Sequence, residues 1–379
     1  MSNIMNIYKP AIAITLITLM TSVLFCVNDI LAQDTSASAK TSDGLHTVSI
    51  DTTQGKIEIY LPDDMSAGDT ISGIVVAEPA GSTDEERNEH SDELNGYVVD
   101  IEVQDKEIGE TSVKKGQLKE ISIPRDLSPG KTKITLTDPE GRRVITTEIP
   151  VQDSPHPLQY TDPPSSKDYK LPYVAIAGEP IQVMGPFDGT FGTTAVKIGG
   201  KKATILAESP RKVVVQTPSD ISGPAKIEVL EKGVQSNGEI YIADQTSPAK
   251  KINIDGIWKT ESGKSSWRIT QSGQAVNADS VQVPEEDEIR GYEENVNAIR
   301  GTLKGNLLIG QIQQFFNIPI KECMSMCPSK CEQWNDLKVV LSDDGNTLKG
   351  QLQEKVINTE SCAVIEFGWR PWTMLRDNN

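Results

Sequence analysis

From residue 45 onward, apolar and polar positions alternate in short runs: "KIEIYLP" (56–62), "GYVVDIEV" (96–103), "LKEISIP" (118–124), "TKITLTDP" (132–139) and "RVITTEIPV" (143–151). Gly, Pro, Asp and Asn separate them. A two-residue period with such punctuation predicts half-buried antiparallel strands. "TDPEGRR" (137–143) reads as a turn between two of them, with Pro139 and Gly141 setting the backbone.

A small pattern, P-x-D-(L/I/M)-S, recurs as "PDDMS" (62–66), "PRDLS" (124–128) and "PSDIS" (218–222). Proline ends a ladder because it has no N–H to donate. Asp and Ser bond nearby backbone and hold a turn, while the apolar residue between them plugs a core. The last two copies extend into "IPRDLSPGKTKITL" and "TPSDISGPAKIEVL", 94 residues apart. That spacing matches one β-sandwich. The expected fold is all-β: two tandem immunoglobulin-like β-sandwiches, 45–152 and 171–244, joined by a Pro/Ser-rich linker at 153–170. The charged stretch 78–96 reads as a solvated insertion carrying a short exposed helix, with an acidic cation-contact loop as the alternative.

After residue 252 the pattern changes. "GNLLIGQIQQ" (305–314) and "GNTLKGQLQE" (345–354) share six of ten positions, each opening on a Gly-Asn turn. "SDDGNTLKG" and "IWKTESGKSSWRITQSGQAV" (257–276) read as hairpins. The segment 252–377 is expected to be an antiparallel meander or small barrel.

Two resemblances bear on these domains. Residues 173–233 carry "AGEPIQVMG" followed by Phe187, then "AVKIGGKKATIL", "VVVQTP" and "GPAKIEVL". They resemble an IPT/TIG domain over about a sixth of the chain. The resemblance implies an immunoglobulin-like module in which Gly199 and Gly200 turn between two strands and Thr217 and Pro218 end a later one. It implies a structural or interaction role and supplies no catalytic residues. The first sandwich lacks the Gly-Gly turn and is immunoglobulin-like only. "DGIWKT", "SGKSSWRITQSG" and the Gly-Asn turns resemble small secreted barrels of the lipocalin or avidin type.

Composition narrows the function. A formal net charge of −17 over 379 residues disfavours nucleic acid as a partner. The start, "MSNIMNIYKP" with Lys9, then an uncharged apolar run at 11–27 and a small residue at Ala32, predicts a signal peptide over 1–33, a retained anchor being the alternative. No stable membrane span is expected after cleavage, and 34–44 reads as a flexible lead-in. The chain is therefore expected to be secreted, periplasmic or at the cell surface.

All five tryptophans, Trp258, Trp267, Trp334, Trp369 and Trp372, lie beyond residue 250. They are candidate ligand contacts or, alternatively, core and barrel-end plugs. "EFGWRPW" (366–372) is the expected exposed aromatic patch, with Trp369 and Trp372 able to stack on sugar rings. Cys323, Cys327, Cys331 and Cys362 also lie in this domain. Export favours disulfides over a four-sulfur metal site, and the spacing differs from common zinc pairs. The strand order brings Cys362 to the cysteine loop, so one bridge within the loop and one from it to Cys362 are expected. The pairing stays open.

No catalytic or metal motif appears, and His46, His90 and His156 are scattered. No cofactor is implied. The reading is a non-catalytic surface or periplasmic interaction protein whose sandwiches present the barrel to a protein or glycan partner. A small-ligand or glycan carrier using the barrel is the alternative, and a hydrolase with an unrecognised site a further one.

Overall fold

The computed structural model describes residues 36–103, 106–124, 130–151, 165–190, 192–243, 252–316, 318–328, 330–358 and 362–377. The expected signal peptide, most of the linker and the "PRDLS" turn lie outside these residues.

The fold is all-β. The first sandwich holds β1 (Ser36–Ser42), β2 (Leu45–Thr52), β3 (Gly55–Pro62), β4 (Thr70–Pro79), helix α1 (Asp84–Leu94), β5 (Val98–Val103), β6 (Lys106–Ser112), β7 (Gln117–Ser122), β8 (Gly130–Thr137) and β9 (Arg143–Val151). The second holds β10 (Val174–Ile176), β11 (Pro180–Met184), β12 (Thr194–Ile198), β13 (Lys201–Lys202), β14 (Thr204–Glu208), β15 (Lys212–Gln216), β16 (Gly223–Glu231) and β17 (Val234–Ala243). The third domain holds β18 (Gly256–Thr260), β19 (Ser266–Ser272), β20 (Ala275–Gln282), α2 (Glu285–Glu288), β21 (Asn297–Lys304), β22 (Leu307–Phe315), α3 (Ile320–Met326), β23 (Glu332–Leu341), β24 (Thr347–Asn358) and β25 (Ala363–Arg376).

The 94-residue repeat is visible in the topology. In the first sandwich β8 lies between β5 and β9; in the second β16 lies between β12 and β17. Within the P-x-D-(L/I/M)-S pattern the apolar position does plug a core: Met65 is fully buried in the first sandwich and Ile221 packs against the second. The aspartate behaves differently from the expected turn bond. Asp64 pairs with Arg211 and Asp220 with Lys201. In the second sandwich Gly199 and Gly200 both take positive φ between β12 and β13, Thr217 and Pro218 follow β15, and Phe187 packs edge-on to Tyr169 at 5.4 Å.

One expectation is corrected. Residues 36–42 are not a flexible lead-in: they pair with β2 along seven residues, Ser36 opposite Asp51 through Ser42 opposite Leu45. "SASAKTS" alternates small and polar residues, a weak strand signal that the neighbouring hairpin completes. The two tandem sandwiches also share a sheet. Where β3 leaves β4 after Tyr60–Ile74, β14 takes over, with Ala207 opposite Gly73 and Glu208 opposite Ser72. One eight-stranded sheet therefore runs through both sandwiches, in the order β1-β2-β3-β4-β14-β15-β11, with β7 also on β4. The 78–96 stretch forms the expected exposed helix, α1, capped by the Thr83–Glu86 box and anchored by the buried Leu94.

Across that shared sheet lies a buried charge network. Arg211 binds Asp64 at 3.1 Å and Asp69 at 2.5 Å, and Lys212, 3% exposed, pairs with Asp63. Burial alone would raise the Asp64 carboxyl; Lys212 and Arg211 hold it below its ordinary value. A small apolar cluster of Leu45, Leu206, Ala207 and Val214 completes the junction.

The third domain closes into a barrel, β18 through β25 with β25 back on β18. The Gly-Asn echo has a steric reason. Gly305 and Gly345 turn with positive φ. Five residues on, a Cβ at Gly310 would come 2.3 Å from the Arg300 carbonyl oxygen, and one at Gly350 would come 2.1 Å from that of Lys338. Both repeats thus need glycine for the turn and again where neighbouring strands press together.

The barrel's outer wall docks on the second sandwich. Leu307 and Val340 meet Val174, Ile176 and Ala243. Gln351 Oε1 accepts from the backbone N–H groups of Tyr173 (2.6 Å) and Val174 (2.8 Å), and Lys338 reaches Asp43 of the first sandwich at 2.9 Å.

Candidate functional site

Alternation along the strands decides what the barrel interior contains. Trp258, Leu303, Leu308, Leu341, Leu348 and Met374 fill the half where the chain enters and leaves. Toward the other end the inward positions become Trp267, Ile312, Leu352 and Trp372, then Ser280, Gln282, Gln314, Glu354 and Arg370. Polar residues at inward positions cannot pack to the density of the apolar layer. A cavity of about 550 Å3 results, within the size range of small-molecule sites.

Loops roof this mouth. The β20–β21 connection supplies Asp287, Arg290 and Tyr292, and the β22–β23 connection supplies Phe316 and Ile318. Tyr292 stands edge-on to Phe315 at 4.9 Å, and its hydroxyl accepts from the Phe315 N–H at 3.1 Å. Burial pushes this phenol up, so it stays neutral at ordinary pH. Arg290 pairs with Asp287 at 3.0 Å. On the floor Trp267 and Trp372 meet edge to face at 5.8 Å. The site thus combines aromatic faces below, hydrogen-bonding side chains around and cationic groups near the rim. That combination suits a ligand with a flat or ring-shaped apolar face and polar edges.

The cysteine loop clamps this end. Cys323 bonds Cys331, and Cys327 bonds Cys362. One bridge is internal and one ties the β22–β23 connection to the β24–β25 connection, as the strand order requires. The three loop cysteines begin on α3, which stops at Met326 ahead of Pro328. Cys323 and Cys331 pack with Phe316, Ile318, Ile320 and Ile357, so the staple and the cavity roof share residues.

The five tryptophans have separate fates. Trp267 and Trp372 line the cavity. Trp258 is fully buried in the packed layer, directly across the β18–β19 ladder from Trp267, its Nε1–H donating to the Ile254 carbonyl at 2.9 Å. Trp334 lies on the outer wall beneath Arg300, 4.0 Å from its ring. Trp369 also faces outward, 8% exposed, with Lys338 Nζ at 5.7 Å. "EFGWRPW" is consequently not an exposed aromatic patch. Its period of two sends Trp372 inward and Trp369 against the neighbouring domains. Tyr292, Phe315, Arg290 and Arg370 were not singled out by sequence. For Arg370 the signal was there: "WRPW" alternates it onto the same face as Trp372.

A second cluster lies far from the mouth. Carboxylate oxygens of Asp188, Glu208 and Glu231 all lie within 4.8 Å of one another. No sequence motif unites them; strand register alone brings them together.

No family model matches the chain, and no curated protein matches it. Solved structures similar to it include a tandem pair of titin immunoglobulin domains (12% identity, 48% of this chain and 90% of that one, TM-score 0.16). Another is SGBP-B of the Bacteroides ovatus mixed-linkage glucan utilization locus, in complex with a mixed-linkage heptasaccharide (12% identity, 89% and 83%, TM-score 0.19). A third is the fibronectin(III)-like modules of Clostridium thermocellum CbhA (14% identity, 50% and 94%, TM-score 0.16).

Proposed function

We propose that this chain is an exported, non-catalytic binding protein in which two immunoglobulin-like sandwiches present a barrel that takes one small ligand in its mouth. The observation that carries this reading is the 550 Å3 cavity over an aromatic floor, rimmed by Arg290 and Arg370. A sugar ring or a planar hydrophobe bearing an anionic or hydroxylated edge matches that lining. The disulfides support an oxidising compartment, where such bonds persist. The charge and the polar groups of the mouth serve orientation here, not acid–base chemistry.

Tryptophan emission tests the reading, because Trp267 and Trp372 sit on the cavity floor. Titration against a panel of oligosaccharides and aromatic carboxylates is expected to quench or blue-shift emission with at least one member. Trp372→Ala should abolish that response and Trp334→Ala should leave it. A panel-wide absence of any change would overturn the carrier role. Substrate turnover lost on cavity substitution would instead establish a hydrolase.

The rim favours a second reading, docking of a macromolecular partner. Ile289, Met324 and Met326 are 58%, 50% and 40% exposed beside the mouth, and exposed apolar side chains clustered at a site mark contact surfaces. A pull-down from the extracellular fraction with wild type and with Met324→Ser/Met326→Ser tests it. Retention of the same partner by both would sink this reading.

A further inference from the structure

We propose that Asp188, Glu208 and Glu231 bind a divalent cation of the size and hardness of calcium where the two sandwiches join. Glu208 closes β14 at the residue opposite Ser72 of β4, and Glu231 closes β16 opposite Thr194 of β12. Asp188 comes from the loop after β11, held in place by Ser72, whose hydroxyl donates to the Gly189 carbonyl at 2.5 Å. Three chain segments and both sandwiches therefore converge on one point.

Acidic clusters are common, but this one is buried and incompletely bonded. Glu208 is 0% exposed and Glu231 1%. Glu208 Oε2 and Glu231 Oε1 have no hydrogen-bond partner, although both atoms are shut off from water. The nearby Tyr169 hydroxyl is likewise unpartnered. Leaving such groups unsatisfied is costly, most of all for a charge. Thr194 makes the shortage plain. Its Oγ1 lies 2.7 Å from a Glu208 oxygen and 2.5 Å from a Glu231 oxygen, yet a hydroxyl has one proton to give. The second contact needs a proton on one glutamate or a cation between them.

The protein supplies little compensating charge. Lys232 approaches Asp188 at 3.5 Å but is 61% exposed. A cation would supply the missing charge and give the unpartnered carboxylate oxygens a partner. Oxygens within 4.8 Å of one another can share an ion at the roughly 2.3–2.6 Å typical of calcium. An open groove between the sandwiches, about 640 Å3, is lined in part by Thr194, whose hydroxyl contacts both glutamates.

Chelator-treated full-length protein titrated with terbium, read by tyrosine-sensitised luminescence and by competition with calcium, tests the site. Saturable luminescence displaced by calcium is expected, with a higher Tm in millimolar calcium than in chelator. Glu208→Gln should weaken terbium at least about tenfold. Tyr169→Phe should dim the emission without changing the affinity, which separates this site from surface acids. If Glu208→Gln does not fold, Asp188→Asn, at a half-buried position, serves instead. Absence of a calcium effect on Tm, or equal affinity in wild type and Asp188→Asn, would overturn the proposal and leave a proton-sharing cluster.

Discussion

The two domain junctions are built by different means. Between the sandwiches the backbone itself continues, β14 hydrogen-bonding to β4, with largely buried charges beside the seam. Between the second sandwich and the barrel no strands pair among the described residues; one glutamine, a tyrosine–asparagine hydrogen bond at 3.2 Å and a small apolar cluster contribute to the contact. A junction made of sheet transmits unfolding from one side to the other. A junction made of side chains lets each side melt alone. Two calorimetric transitions are expected, one for both sandwiches and one for the barrel.

The severest break is Lys212→Ala. It removes the buried cation that pairs with Asp63 and approaches Asp64, at a cost of about 3–5 kcal/mol, and denaturant melts should show both sandwiches moving together. Survival of a separate, unshifted first-sandwich transition would refute the seam as a coupling device.

Next comes pH. The Glu208 carboxyl is raised from 4.5 to about 8 in the fold. Its protonated form is the favoured one, so the stabilisation is complete below pH 4.5 and is lost as pH climbs through 8. In chelator the sandwich transition should lose up to about 5 kcal/mol over that window. His46 titrates with the opposite sign, since burial holds its pKa below 6.5 and protonation on acidification destabilises the fold. The test is therefore the difference from Glu208→Gln, which should flatten the Glu208 component. Identical slopes would remove Glu208 from the account.

On the barrel side, Cys327→Ser/Cys362→Ser opens a bridge spanning 35 residues, worth about 2–4 kcal/mol. Only the barrel transition should fall. Gln351→Ala is the mildest, about 1–2 kcal/mol from the two backbone N–H groups of the second sandwich that lose their acceptor, and it should lower both transitions slightly without merging them. Movement of the sandwich transition by the cysteine change would mean that the second junction couples as tightly as the first.

Much of this architecture was legible in sequence because period and turn chemistry are local. The strands, the 94-residue repeat, the Gly-Asn echo and the bridge to Cys362 all follow from spacing. What was not legible is edge-to-edge. The β4–β14 pairing involves "SG" and "AE", dipeptides with no strand signature of their own, and is decided by where β3 happens to leave. The Asp188–Glu208–Glu231 cluster depends on the same register. The tryptophans show the limit within one domain. Alternation can sort Trp369 from Trp372 onto opposite faces, but which face is the interior depends on closure by β25 against β18.

That closure has a practical reach. At the end where the chain enters and leaves the barrel, strands connect through tight turns at Gly273, Gly305 and Gly345. The two long connections, β20–β21 and β22–β23, lie at the opposite end, the second of them covalently stapled to the short β24–β25 connection. Length and chemistry can vary in those loops without disturbing the packed half below. The barrel is thus laid out like a hand whose palm is fixed and whose fingertips are interchangeable, a natural frame on which new binding specificities can be grafted.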